Sequence, residues 1–261
     1  DAEVRKVVLV FPQLLALSLE ANILPSLEVL GERLGMGKAE LRKIVLRSPQ
    51  LLSSSMNATV LPKLAVLQER LDLSEEELKG VVVAAPSLLT RSLDDYLFPS
   101  CAILQERLNL NSADLKKVVR CAPSVLTYSM EDNVLPKLDW LQENLGLSFE
   151  DLRKRVVTQP AILGYSVESR LKPRLEACRD AGVAPISVLT RGCYTDGRFA
   201  HSLGMHPSAL AKFKKASGKR YVVQKKRKKK PKTAARRDPP SRRSSQLARR
   251  VDSSRMWRPD F

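Results

Sequence analysis

The chain has 261 residues, 43% hydrophobic and 28% charged, which is enough apolar material for a packed core. Its net charge of +17 is unevenly placed: residues 219–261 hold 17 Lys/Arg against 3 Asp, while residues 1–218 hold 28 basic against 25 acidic residues. The body is thus nearly neutral, and no apolar run approaches the roughly 20 residues that span a bilayer, so no membrane partner is expected.

In chain order the first element, "VRKVVLVFP", aligns with "LRKIVLRSP" 37 residues later, so the chain is expected to begin inside a repeat, with any N-terminal targeting peptide lying ahead of it. A ten-residue phrase then recurs five times: "SLEANILPSL" from Ser18, "SMNATVLPKL" from Ser55, "SLDDYLFPSC" from Ser92, "SMEDNVLPKL" from Ser129 and "SVESRLKPRL" from Ser166. The spacing is 37 residues each time, without insertion, and it carries Pro25, Pro62, Pro99, Pro136 and Pro173 in step. A second proline series, Pro12, Pro49, Pro86, Pro123 and Pro160, leads the first by 13 residues, each followed by one variable and two apolar residues. A fixed period of this size marks a repeat architecture.

Within one unit, Leu61, Leu64, Leu67 and Leu71 fall at three- and four-residue steps and predict an amphipathic helix, helix A. Ser55 is placed to cap its start. Pro62 lies seven residues after that serine, so either the helix starts near the proline or a kink is built in, and the sequence leaves both open. Helix B follows in "DLSEEELKGVVVAAP", with Ser74 and Glu77 as a capping box and Pro86 as the stop; Asn111 with Asp114 and Ser148 with Asp151 repeat that start. After each stopping proline there is room for one short 3₁₀ turn. Without a strand-like run in the unit, the fold class is all-α: a helical-repeat solenoid of 37-residue units, two helices plus a 3₁₀-like turn. The domains predicted are repeats over 1–197, where the period fails at Gly197, a C-terminal cap over 198–218 and a disordered basic tail over 219–261. Cys101 and Cys178 occupy slots that hold leucine in other units, which reads as core packing in a reducing compartment.

The "LPKL" helix starts, the "LRKxV…P" helix ends, and especially "ILGYSVESRLKPRLEACRDAGV" followed by "TDGRFAHSLGMHP" resemble the mitochondrial transcription termination factor (mTERF) family in its plant and algal organellar form. A strict 37 separates the chain from the 34-residue tetratricopeptide unit. The resemblance implies an organellar nucleic-acid-binding protein, in a mitochondrion or chloroplast in preference to the nucleus, whose repeats curve into a basic groove along duplex DNA and act on transcription termination or initiation. It also leaves room for members that work on organellar RNA or ribosomes. A protein-interaction scaffold is a further reading, kept open by the near-neutral body.

Phosphate contacts by a solenoid need cations at equivalent positions of successive units. One column lies in helix B: Arg42 and Lys43, Lys79, Lys116 and Lys117, then Arg153 and Lys154 with Arg155. The other surrounds the helix A proline: Lys63, Lys137, and the cluster Arg170, Lys172 and Arg174. The competing reading of each is a solvated helix face paired to acids one turn away. The run Lys225, Lys226, Arg227, Lys228, Lys229 and Lys230 supplies a basic arm. The scarcity of aromatics, 5%, favours duplex DNA over single-stranded RNA as the partner. No small-molecule substrate, cofactor, metal site or catalytic residue is expected. Cys193, His201 and His206 fit no zinc spacing, and "GERLGMGK" departs from a phosphate loop in spacing and context, so it is read as an inter-helix loop.

Overall fold

The computed structural model describes residues 2–216, and every regular element among them is helical. The α-helices run α1 (Ala2–Val10), α2 (Leu24–Leu34), α3 (Lys38–Arg47), α4 (Leu61–Arg70), α5 (Glu75–Ala84), α6 (Phe98–Leu108), α7 (Ser112–Cys121), α8 (Leu135–Leu145), α9 (Phe149–Thr158), α10 (Lys172–Asp180), α11 (Ser187–Thr190) and α12 (Asp196–Ser202), followed by a helix over 207–216, α13. The helix B series, α1, α3, α5, α7 and α9, packs side by side, and the 3₁₀ turns that follow it (Pro12–Ala16, Pro49–Ser53, Pro86–Thr90, Pro123–Thr127, Pro160–Gly164) form a second row.

The proline question is answered by a wide turn. Ser18, Ser55, Ser92, Ser129 and Ser166 each accept from the backbone N–H three residues on, at 3.0–3.2 Å. The five residues after each serine then form one turn of π-helix, with bonds such as Val60 N–H to Ser55 O at 3.1 Å spanning five residues, before α-geometry begins at the residue ahead of the proline. A proline ring inside an α-helix collides with the carbonyl four residues earlier and lacks a donor. The wider turn moves that carbonyl aside, and the helix runs through the proline without breaking. Of the two alternatives left by the sequence, the first holds, since the α-helix starts one residue ahead of the proline; the π-turn that joins it to the serine is the added feature.

Helix A ends in a repeated Schellman motif. Gly35, Asp72, Asn109 and Gly146, again 37 apart, sit in the left-handed region with φ of 56°, 49°, 47° and 62°. The next residue bonds back to the carbonyl five before it, as Met36 N–H does to Gly31 O at 2.8 Å and Leu73 N–H to Gln68 O at 2.9 Å. "GERLGMGK" is thus an inter-helix loop in which Gly35 supplies the positive φ.

The apolar stripes close one continuous core. Leu64, Leu104, Leu138 and Leu141 are all fully buried, as are Cys178 and, to 3%, Cys101. A buried leucine contributes about 1.5–3 kcal/mol, so the stack gains stability unit by unit. At the first unit the same columns face solvent: Leu15 is 74% exposed where Leu52, Leu89, Leu126 and Leu163 are at most 6%.

Candidate nucleic-acid interface

The first basic column divides into two rows. Arg42, Lys79, Lys116 and Arg153 each reach back to an acid of the preceding unit, 39 residues earlier. Arg42 binds Glu3 at 2.6 Å, Lys79 binds Glu40 at 3.0 Å, Lys116 binds Glu77 at 3.3 Å, and Arg153 binds Asp114 at 2.8 Å. The acids are themselves helix-start residues: the carboxylates of Glu40 and Glu77 accept from the capping N–H of Gly37 and Ser74 at 3.1 and 3.0 Å. Lys79 also donates to Gly35 O at 2.8 Å, and Lys116 to Asp72 O, so the ladder clamps the left-handed turn of the unit before. These four cations are engaged as inter-unit staples. The signal was present in the sequence as an acid series at 3, 40, 77 and 114, in register with the base series.

Glu77 is the best-connected rung. The Ser74 backbone bond, followed by Arg120 at 2.7 Å and Lys116, holds its carboxyl down at about 2. A carboxyl whose folded pKa is depressed contributes stability that is present above its unfolded pKa and is lost as pH falls through the folded value. Glu77→Gln should therefore lower the urea midpoint at pH 7, and the gap between variant and wild type should close between about pH 4.5 and 2 in a pH series of urea melts. A gap that persists at pH 2 would mean that the amide perturbs the cap by shape and not by charge.

The neighbouring row is different. Lys43, Lys117 and Lys154, one residue beyond the staples, are exposed, and their ammonium groups make no hydrogen bond or ion pair among the described residues. Lys6 stands at the equivalent position of α1 and is also exposed; the sequence reading missed it because its column was started one period too late. Gly80 leaves a gap in the row at α5.

The second column is directed inward. Lys63 donates to the carbonyls of Leu89 and Arg91 at 3.0 and 2.6 Å, closing the end of the next 3₁₀ turn. Lys137, 5% exposed, donates to Leu163 O and to Asn133 Oδ1 at 2.9 Å, beside the Tyr128 ring. Arg174 is 1% exposed: its guanidinium meets the carbonyls of Arg191, Gly192 and Tyr194 and the Asp196 carboxylate, and lies over the Phe199 ring at 4.5 Å. Arg170 donates to Gly192 O and Tyr194 O at 2.7 and 3.1 Å and stacks on Tyr165, while Lys172 pairs with Glu168 one turn back. Two members of the cluster read as a groove, Arg170 and Arg174, are pins on the loop 191–196. The physical reason is that carbonyls such as Leu89 O and Leu163 O at the 3₁₀-turn ends, and Gly192 O and Tyr194 O in this loop, are passed over by the turn's backbone donors, and a buried carbonyl must find one. Lys225, Lys226, Arg227, Lys228, Lys229 and Lys230 lie outside the described residues.

A stack of two-helix units with serial caps, inter-unit staples and an exposed cationic row defines a helical-repeat protein. The mTERF family model matches residues 1–199, and the chain belongs to that family. Membership brings nucleic-acid binding and organellar transcription regulation, in a family that is not typically enzymatic. No curated protein matches the chain. Among the described residues no helix is long and apolar enough to cross a membrane.

Proposed function

We propose that the chain binds double-stranded nucleic acid, DNA in preference to RNA, along the helix B row, and that it acts in this way on organellar transcription, including termination. The observation that carries the reading is the row Lys6, Lys43, Lys117 and Lys154, exposed on helices that pack side by side. Packed helices lie about 8–10 Å apart, so one unit advances the row by about three base steps of a duplex strand. The staples beside it, Arg42, Lys79, Lys116 and Arg153, hold those helices in register. The tyrosines support backbone readout over base stacking, since Tyr96, Tyr165 and Tyr194 are half-buried with arginines of the same chain over their rings at 4.3–4.4 Å. The basic stretch from Lys219 adds an arm that attracts phosphates without sequence preference.

Fluorescence anisotropy of the full chain on matched DNA duplex, RNA duplex and single-stranded RNA tests this. Combined Lys43→Glu, Lys117→Glu and Lys154→Glu should weaken duplex DNA binding and flatten the log–log salt dependence by about 2.7 for three lost phosphate contacts, with the melting temperature unchanged. Unaltered affinity and slope would remove the row from the interface and leave the basic stretch as the only contact.

A further inference from the structure

The repeat provides its own comparison at the end of each 3₁₀ turn. In the unit of α4, Lys63 Nζ binds the carbonyls 26 and 28 residues ahead, Leu89 and Arg91. In the unit of α8, Lys137 Nζ binds the carbonyl 26 ahead, Leu163. In the unit of α10, the Arg174 guanidinium takes the corresponding role on the loop 191–196. In the unit of α6 the position holds Ser100, whose hydroxyl turns back to Tyr96 O at 2.7 Å, and the Tyr96 hydroxyl reaches Thr127 O at 3.3 Å. In the unit of α2 the position holds Ser26, and the equivalent carbonyls are those of Leu52 and Ser54. No side chain among the described residues donates to either. A cleft of about 350 Å³ opens there instead, bordered by Ser26, Leu52, Ser54, Asn22, Met56 and Asn57.

We propose that this cleft is a binding site for a primary ammonium group on a short alkyl stem, as carried by a free polyamine or by an exposed lysine of a partner. The argument rests on shape and donors together. The site retains the carbonyl pair that holds a lysine Nζ two helices further on, and it lacks only the lysine. Its apolar wall, Leu17, Val29, Leu52 and Met56, suits the methylene stem that must accompany the charge. The carbonyls at the end of a 3₁₀ turn carry the negative end of its dipole, which favours a cation with N–H donors over a bare ion. An ammonium presents three such donors, and the side-chain amide of Asn57 borders the cleft beside the carbonyl pair.

The test uses the full chain and follows the backbone amide shifts of Ser53, Ser54 and Ser55 by NMR during titration with n-butylammonium chloride. Tetramethylammonium, which has the charge but no N–H, and n-butanol, which has the stem but no charge, are run beside it. Saturable shifts with butylammonium alone are expected, with an affinity in the millimolar range typical of a single small contact. Ser26→Lys places a tethered ammonium in the cleft as Lys63 does in its own unit, and should weaken butylammonium binding at least tenfold, whereas Ser26→Ala should bind as wild type does. Spermidine and an N-acetyl-lysine amide distinguish the two sources by which of them binds more tightly. Absence of saturable binding to wild type, equal response to tetramethylammonium, or unchanged binding in Ser26→Lys would each overturn the proposal. The Ser26→Lys result is interpreted only with a circular-dichroism melt at or above the wild-type temperature; a well-folded Ser26→Ala that binds nothing overturns the proposal independently.

Discussion

Replacing Arg174 by methionine should destabilise the protein by about 3–5 kcal/mol, a large share of the roughly 5–15 kcal/mol of an ordinary domain. The guanidinium is 1% exposed and bonds Arg191 O at 3.3 Å, Gly192 O at 3.2 Å, Tyr194 O at 2.7 Å and Asp196 Oδ1 at 3.1 Å. Methionine fills much of the volume but removes four charge-assisted bonds at once, leaving Gly192 O and Tyr194 O to Arg170 alone and the Asp196 carboxylate to Lys214, and the loss of those bonds in a buried site dominates. Asp196 illustrates the coupling. Its partial burial by itself would raise the carboxyl pKa, yet the bonds from Lys214 and Arg174 outweigh that and leave it lowered. Arg174→Lys should recover little, because a single ammonium cannot reproduce a planar fork that serves carbonyls on two sides. Because a solenoid is stabilised by nearest-neighbour interfaces, the loss should appear as early melting of the C-terminal end, read as hydrogen exchange of the α12 amides ahead of those of α4. A loss under about 1 kcal/mol in urea would mean that Phe199 packing, and not the guanidinium, holds the loop 191–196.

Lys137 should make the protein more stable in mild alkali, against the common trend. Burial pushes its ammonium down to about 8 from an ordinary 10.5. Below pH 8 the folded state carries a desolvated charge that the unfolded chain hydrates freely. Between about 8 and 10.5 the folded side chain has lost its proton and the unfolded one has not, so the unfolded state binds more protons and stability rises with pH. At about 1.36 kcal/mol per pKa unit the gain approaches 3 kcal/mol across that window. Other groups titrate there as well, so the measurement is the difference between wild type and Lys137→Met in urea melts from pH 7 to 10.5. The difference should change in favour of wild type by that amount. A flat difference would place the ammonium in contact with solvent and at an ordinary pKa.

The two predictions concern residues that the sequence marked for another role, and the reason shows what a sequence of this kind carries. The 37-residue period, the capping serines and the stopping prolines are local signals: each acts through the backbone within a few residues, and exact repetition multiplies them. They were sufficient for an all-α solenoid with a 3₁₀ turn per unit, for the buried faces of Leu64 and Leu67, and for the placement of Cys101 and Cys178 in the core. The family was legible as well, from the phrases around Ser166 and Gly197, and the family model matches residues 1–199.

The π-turn was not legible, because its cause is a collision between a proline ring and a carbonyl whose resolution has several local forms. Beyond the staples, whose acid partners recur in register at 3, 40, 77 and 114, the fate of each cation was not legible either. Charge in a sequence is the same letter whether the side chain meets a phosphate, a carboxylate of the preceding unit or a buried carbonyl. Arg42 and Lys43 are adjacent, yet one staples α3 to Glu3 of α1 and the other faces water, because a helix turns by about 100° between them. Lys63 and Lys137 lie in the same column as Ser26 and Ser100, and only the position of the following 3₁₀ turn shows that the column supplies donors to carbonyls. The sequence by itself determined the unit, its period and its stacking, since those follow from local backbone chemistry repeated exactly. The tertiary structure alone decided which charges are consumed inside the stack and which remain free outside it, since that depends on groups 17 to 44 residues apart that only packing brings within hydrogen-bond reach.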